Sequence, residues 1–416
     1  MHLPNPSILT LFRRENYLAA RIAIPLEASI RESIHIGILL DVSDSMSGER
    51  LDSVKQTLHA ARNTFRDLDY VTLVVFGETA RAIVTHHRMD HAGKHIFYEA
   101  LDAVSTKGCT NLSAGFQVLN ASHSPYDCVI LLTDGQINRG IESTEGLTTM
   151  ALSLSPSLGR ATFHTLGYGA DHNRSLLRIL STQTGGIYEY IQSKEQIFST
   201  FGDILGNTRA VVLRGVSLTP SEGWKSIEVS TMMGDIVSGR EYWAVYTHVG
   251  DSDTVGPPSI RLQGWSLQGL PSTLVVQTLG DPDPSILNIQ ILRANVSVAL
   301  TNLSNLLESK RVMRRKIHME HIEAARSRLE FLQHELQTNS DANHPLILLM
   351  KAKIAEALVV HERDESLARL SSGAACLSTQ RAVSDPHNLE ETPFTSPAGR
   401  QASSQVYDQY YHSHPE

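Results

Sequence analysis

One stretch narrows the fold more than any other. The apolar run Ile34-His35-Ile36-Gly37-Ile38-Leu39-Leu40 ends in Asp41-Val42-Ser43-Asp44-Ser45-Met46-Ser47-Gly48. A branched apolar run without polar alternation reads as a strand covered on both faces, as in a parallel sheet. A helix follows, because Leu51, Val54, Leu58, Ala61 and Phe65 recur at three- and four-residue spacing. Asp41, Ser43 and Ser45 therefore alternate along a strand-to-helix turn. In open α/β sheets ligands bind at such turns, beyond the carboxyl ends of the strands. Their hard oxygen donors suit Mg²⁺, Mn²⁺ or Ca²⁺ rather than a soft metal. Ser and Asp also serve as plain helix caps, so this turn alone leaves both readings open.

Two further segments shift the balance toward a ligand site. Gly108-Cys109-Thr110-Asn111-Leu112-Ser113-Ala114-Gly115 places a Thr in a Gly-bounded turn before a second helix. Val129-Ile130-Leu131-Leu132-Thr133-Asp134-Gly135 ends a second buried strand in an Asp. Together these segments resemble the metal-ion-dependent adhesion site of von Willebrand factor A (VWA) domains: Asp-x-Ser-x-Ser, then Thr, then Thr-Asp-Gly. Asp41, Ser43, Ser45, Thr110 and Asp134 match its ligand positions. The resemblance continues through Leu166-Gly167-Tyr168-Gly169 and Thr184-Gly185-Gly186-Ile187-Tyr188, covering about residues 30–206. Asp44 departs from it, standing where Gly is frequent. The resemblance implies that Ser43 and Ser45 bind a divalent cation directly, most simply Mg²⁺. It also implies that Thr110, Asp41 and Asp134 bind directly or through water. The cation's residual charge would then take an Asp or Glu carboxylate of a partner protein.

Read in order, the chain divides into five parts. Residues 1–29 read as a leader followed by an edge strand over 17–25 that precedes the first core strand. Residues 30–206 alternate strands and helices with short connections, predicting a doubly wound, mostly parallel α/β sheet of Rossmann-like type. Short β-like runs between Gly, Pro, Asp and Ser over 207–280 predict a small antiparallel sandwich. All three Trp residues fall there and read as core. Residues 285–370 show three helical stripes, a hairpin or bundle. Residues 371–416, poor in apolar side chains, read as a disordered tail. The aromatic ending Tyr407-Asp408-Gln409-Tyr410-Tyr411 reads by default as part of that tail.

Composition sets limits on function. A formal net charge of −8 argues against a general nucleic-acid binder. The basic run Lys310–Lys316 reads as a solvated helix face. Three scattered cysteines with no metal-type spacing fit a reduced, intracellular and cytoplasmic protein. No signal peptide or membrane-spanning run is evident. No phosphate-binding Gly-Lys loop or Ser/His/Asp set is legible, so the chain is not expected to be an enzyme. His35, His86, His87 and His164 read as core or strand-end residues. The expected function is a metal-dependent protein-interaction module or scaffold. Its oligomeric state is not set by sequence. The whole-chain order also resembles multidomain VWA proteins of fungi and plants, some with RING or U-box modules. No Cys/His zinc pattern exists here, so ligase activity is not carried over. The alternatives are a metal-independent scaffold in a ubiquitin-related pathway and, more remotely, a metal-assisted hydrolase.

Overall fold

The computed structural model describes residues 9–379 apart from 27–30, 32, 123–124, 158–160, 170, 193, 229–231, 250–256, 268, 277–282, 314–318 and 361–363. Beyond Thr379 it describes only 397, 398, 400–402, 404 and 405. The chain opens with an antiparallel hairpin, β1 (Leu9–Arg14) and β2 (Tyr17–Ala23). The central sheet follows: β3 (His35–Asp41), β4 (Tyr70–Phe76), β5 (Ala80–Arg88), β6 (Cys128–Thr133), β7 (Thr162–Tyr168) and β8 (Tyr188–Ile191). Its order is β5-β4-β3-β6-β7-β8, with only β5 antiparallel to its neighbour. Helices α1 (Glu49–Ala60), α2 (His91–Asp102), α3 (Leu112–Ala121), α4 (Thr144–Ser157), α5 (Arg174–Thr184) and α6 (Lys194–Arg209) cover both faces.

Every residue of β3 is buried, as its unbroken apolar run requires. Alternate side chains face opposite layers. Ile36, Ile38 and Leu40 pack with Leu51, Val54 and Leu58 of α1 and with Phe201 and Ile204 of α6. Leu39 joins Phe116 and Leu119 of α3 and Leu176, Leu177 and Leu180 of α5. The helical stripe after Gly48 stays buried through Phe65, but the α-helix stops at Ala60 and continues as a 3₁₀ turn, Ala61–Asn63.

The N-terminal hairpin corrects the expectation for residues 1–29. Strand β2 does not flank the central sheet. It pairs antiparallel with β12 (Glu241–His248), from Tyr17↔Thr247 to Ala23↔Glu241. With β9 (Val211–Pro220), β10 (Trp224–Ser226), β11 (Met232–Val237), β13 (Ile260–Trp265) and β14 (Pro271–Val276), the hairpin completes a two-sheet sandwich. The sheet orders are β1-β2-β12-β10 and β11-β9-β13-β14. Leu9, Leu11, Leu18 and Ile22 share its core with Leu213, Leu218, Tyr242 and Ile260. The α/β domain is thus inserted between two strands of the sandwich. Its entry and exit lie side by side, with Arg31 N donating to Arg209 O at 3.2 Å. The alternation in residues 17–23 fixes a strand but carries no information about a partner so distant in sequence. Trp224 is buried in the sandwich core, Trp243 is buried on the outer face of its sheet against Leu287, Ile291 and Ala294, and Trp265 is only half-buried, short of the core position expected for it.

The C-terminal region also differs from expectation. Helices α7 (Pro284–Met313), α8 (Met319–Gln337) and α9 (Pro345–Leu358) are followed by a fourth, α10 (Asp364–Thr379). The expected tail therefore begins inside a packed helix. Ala374 and Leu377 of α10 join the helical core, while Ala375 joins the α3–α5 side of the central sheet. Its Gly-Ala-Ala-Cys run permits that close approach, although its Ser content resembles that of the tail. Ala398 packs on Ala210, Val211 and Val237. The basic run lies at the end of α7 and, from residue 314, outside the described residues. The aromatic segment 407–411 lies outside them too.

At the far edge of the central sheet from the site, buried His35 has its Nδ1 2.9 Å from Pro125 O and its Nε2 3.0 Å from Thr72 Oγ1. Burial, reinforced by nearby His86, pushes its pKa down from 6.5 to about 4 against the raising effect of the Pro125 carbonyl. The folded state therefore binds this proton less tightly than the unfolded state. The stability His35 contributes is complete above its ordinary pKa and is lost as pH falls toward 4. We expect about 2–3 kcal/mol of acid sensitivity from it. His35→Gln should flatten urea stability between pH 6.5 and 4; an unchanged slope would refute the assignment.

Candidate metal centre

The carboxyl ends of β3 and β6 deliver Asp41 and Asp134 to one edge of the sheet, and both are fully buried. Ser43 is buried and Ser45 exposed, so the Asp-x-Ser-x-Ser turn runs from the core to the surface. Asp41 Oδ1 accepts from Ser43 N at 2.9 Å, and its Oδ2 accepts from Thr133 Oγ1. The Thr133 hydroxyl in turn accepts from Gly135 N at 2.8 Å. Asp41 is thus fixed by groups from both strands.

The Thr110 loop is fastened to this turn. Lys107 N donates to Val42 O, Asp44 N to Gly108 O, and Gly108 N to Asp44 Oδ1 at 2.9 Å. Asp44, the departure from the family pattern, is spent on clasping that loop. Asn138 ties the loop to the segment after Asp134, accepting from Thr110 N through Oδ1 at 2.8 Å and donating its own N–H to Thr110 O. Asp41, Ser43 and Ser45 are joined directly, whereas Thr110 and Asp134 are drawn in through Asp44, Asn138 and Arg50. Arg50 Nη1 lies 3.3 Å from Asp134 Oδ2 and 3.1 Å from Ser45 O.

Does this donor set suit a hard cation? Octahedral Mg²⁺, with bonds of 2.0–2.1 Å, needs neighbouring ligand oxygens about 2.9–3.0 Å apart. Ser43 Oγ and Ser45 Oγ stand 3.0 Å apart. Buried Asp41 has its pKa raised to about 6 by desolvation, opposed by the Thr133 and Ser43 hydrogen bonds and reinforced by Asp134. An unscreened buried carboxylate of this kind gains from a nearby positive charge. The residues fit a hydroxyl-rich cation site. Among the described residues, no three His, Cys, Asp or Glu gather as a metal-binding group, so any site here rests on hydroxyls and two carboxylates.

Sequence reading missed Arg50, Asn138, Gln136 and Asp171 in this region. Gln136 N donates to Asp134 Oδ1, and Gln136 Nε2 to Asp171 Oδ2. One signal was available: Arg50 is a cation in the first turn of α1, where the helix dipole favours acids.

Residues 34–190 match the von Willebrand factor type A domain family. This segment is a VWA domain. Over 180 residues the chain is 26% identical to inter-alpha-trypsin inhibitor heavy chain H1 of Bos taurus, covering 39% of this chain and 20% of that protein. The chain spans less than half the length of its first curated relatives. Two solved structures are similar at 15% identity: a von Willebrand factor type A protein from Catenulispora acidiphila and the ArnB paralog VWA2 from Sulfolobus acidocaldarius. The first has a TM-score of 0.56 over 82% of this chain and 86% of that one. The second has 0.55 over 87% and 93%. Both likenesses extend beyond the VWA domain and concern the fold. Among the described residues, no helix is long and apolar enough to cross a membrane.

Proposed function

We propose that this chain is a protein-interaction module whose VWA domain binds an Asp or Glu side chain of a partner through a divalent cation, most simply Mg²⁺. The observation that carries this reading is the 3.0 Å spacing of the Ser43 and Ser45 hydroxyls beside buried Asp41. Ser43, Ser45, Thr110, Asp41 and Asp134 would hold the ion. The ion would supply a positive charge only partly neutralised by two carboxylates. The protein's own contribution is to fix Asp41 through Thr133, keep the Thr110 loop clasped by Asp44, and leave Ser45 at the surface where a carboxylate can approach. The coarser part, a VWA interaction domain, rests on the family match.

The absence of any legible catalytic set makes binding the preferred role, and an intracellular setting fits the three unpaired cysteines. Capture of partners on immobilised protein is expected to be abolished by EDTA and restored by Mg²⁺, with Asp134→Ala inactive in both conditions. EDTA-insensitive capture would favour the metal-independent scaffold, a reading that the Arg50–Asp134 ion pair supports. Turnover of a phosphoester would favour a hydrolase.

A further inference from the structure

Arg50 sits where a cation ligand has its charge. Nη1 lies 3.3 Å from Asp134 Oδ2 and 3.1 Å from Ser45 O, while Nη2 lies 3.2 Å from Asp171 Oδ1. Asp134 is fully buried, but the Asp171 side chain is 47% exposed. The guanidinium therefore bridges an inner and an outer carboxylate. It lies close over the backbone at Gly169, where a Cβ would stand 2.5 Å from Nη2. Gly169 has φ +77°, so glycine suits both the backbone and the space above it.

This placement runs against the local helix. A positive side chain in the first turn of α1 faces the positive end of the helix dipole. The compensation is Asp134, whose other oxygen accepts only a backbone N–H, from Gln136. A divalent cation using Asp134 Oδ2 meets the guanidinium on the same oxygen. Two positive charges a few ångströms apart repel, so the two compete for Asp134. Asp171 gives the displaced arginine a second carboxylate on the outer side. Gln136 Nε2 already holds that carboxylate at 2.9 Å.

We propose that Arg50 is an internal counter-cation of the metal centre: it neutralises Asp134 without metal and, when a divalent cation enters, releases Asp134 and stays on Asp171. This rests on the metal-site reading above. Arg50 is a positioning residue that sets the cation affinity of the site. Its charge, kept at the rim through Asp171, adds to the attraction for an incoming carboxylate. It would thus weaken the bare metal complex while favouring the complete one, which couples metal and partner binding.

The test is Mg²⁺ alone, titrated by calorimetry into the full chain as wild type, Arg50→Gln, Arg50→Lys and Asp134→Ala. Arg50→Gln keeps a hydrogen-bond donor but no charge and should bind Mg²⁺ about tenfold more tightly than wild type. Arg50→Lys keeps the charge and should bind at least about threefold more weakly than Arg50→Gln. Thermal unfolding in EDTA gives a readout without metal: Arg50→Gln should melt below wild type, and Mg²⁺ should raise its midpoint more. Binding by Arg50→Gln with none by wild type also supports the proposal. Equal affinities of wild type and Arg50→Gln, with Asp134→Ala inactive, would overturn the proposal and leave the metal site standing. No Mg²⁺ binding by any of the four, or binding by Asp134→Ala equal to wild type, would overturn the metal site and the proposal with it.

Discussion

Asp41→Asn is expected to unfold at a higher urea concentration than wild type in EDTA at pH 7.5, and to lose all response to Mg²⁺. Asp41 is fully buried and, without a cation, its charge is met by hydrogen bonds from Thr133 Oγ1 and from the backbone and side chain of Ser43. Burial raises its pKa from 3.8 to about 6. The folded state thus holds this proton more tightly than the unfolded chain. Stability associated with Asp41 is greatest below its ordinary pKa, falls as pH rises toward 6, and is fully lost at 7.5. The cost of the charged form is on the order of 1–3 kcal/mol. Asn removes that charge, retains an acceptor for Ser43 N, and offers an amide donor to the Thr133 hydroxyl. The substitution should therefore recover much of the cost while removing a ligand. Mg²⁺ should stabilise wild type as any ligand specific to the folded state does, and should not stabilise the variant. A variant that is less stable than wild type in EDTA, or that still responds to Mg²⁺, would contradict this account. Buried charge held for function at the expense of stability is common at binding sites.

The largest loss of stability is expected from Arg293→Ala. Arg293, on α7, is fully buried. Nη1 donates to Glu228 Oε1 at 2.9 Å and Leu377 O at 2.8 Å. Nη2 donates to Glu228 Oε2 at 3.0 Å and Trp243 O at 3.2 Å, and Nε donates to Gln290 Oε1 at 2.9 Å. These contacts use the five N–H donors of a guanidinium. They join α7 to β12, to α10 and to Glu228 beside the sandwich. Removing the arginine takes its counter-charge from buried Glu228 and a hydrogen bond from each of the Leu377 and Trp243 carbonyls. Losing one partner of a buried pair costs about 3–5 kcal/mol. Arg293→Ala should lower stability by that amount in urea, whereas Arg293→Met with Glu228→Met should cost much less, because no orphan charge remains. A loss under about 1 kcal/mol for Arg293→Ala, against the 3–5 expected, would show that the pair does not join these elements.

The doubly wound domain was legible because its signals are local. An unbroken apolar run gives a two-sided strand, as in β3, and three- to four-residue spacing gives the helix after Gly48. The placement of Asp41, Ser43, Ser45, Thr110 and Asp134 on turns at one end of the sheet was legible for the same reason, since strand-end turns carry their own residues with them. Pairing was not legible. Tyr17–Ala23 shows an alternating strand, yet its partner Glu241–His248 lies beyond the whole inserted domain. Composition likewise assigned Ser371 onward to a tail, although Ala374, Ala375 and Leu377 are buried between the VWA domain and the helices. The sequence by itself determined the strands, the helices and the oxygen donors at the turns, because backbone period and side-chain chemistry act over a few residues. Only tertiary structure decided that the hairpin belongs to the sandwich, that α10 closes against the sheet, and that Arg50 lies on Asp134. Those outcomes depend on burial and charge contacts between segments far apart in the chain, and no local pattern encodes them.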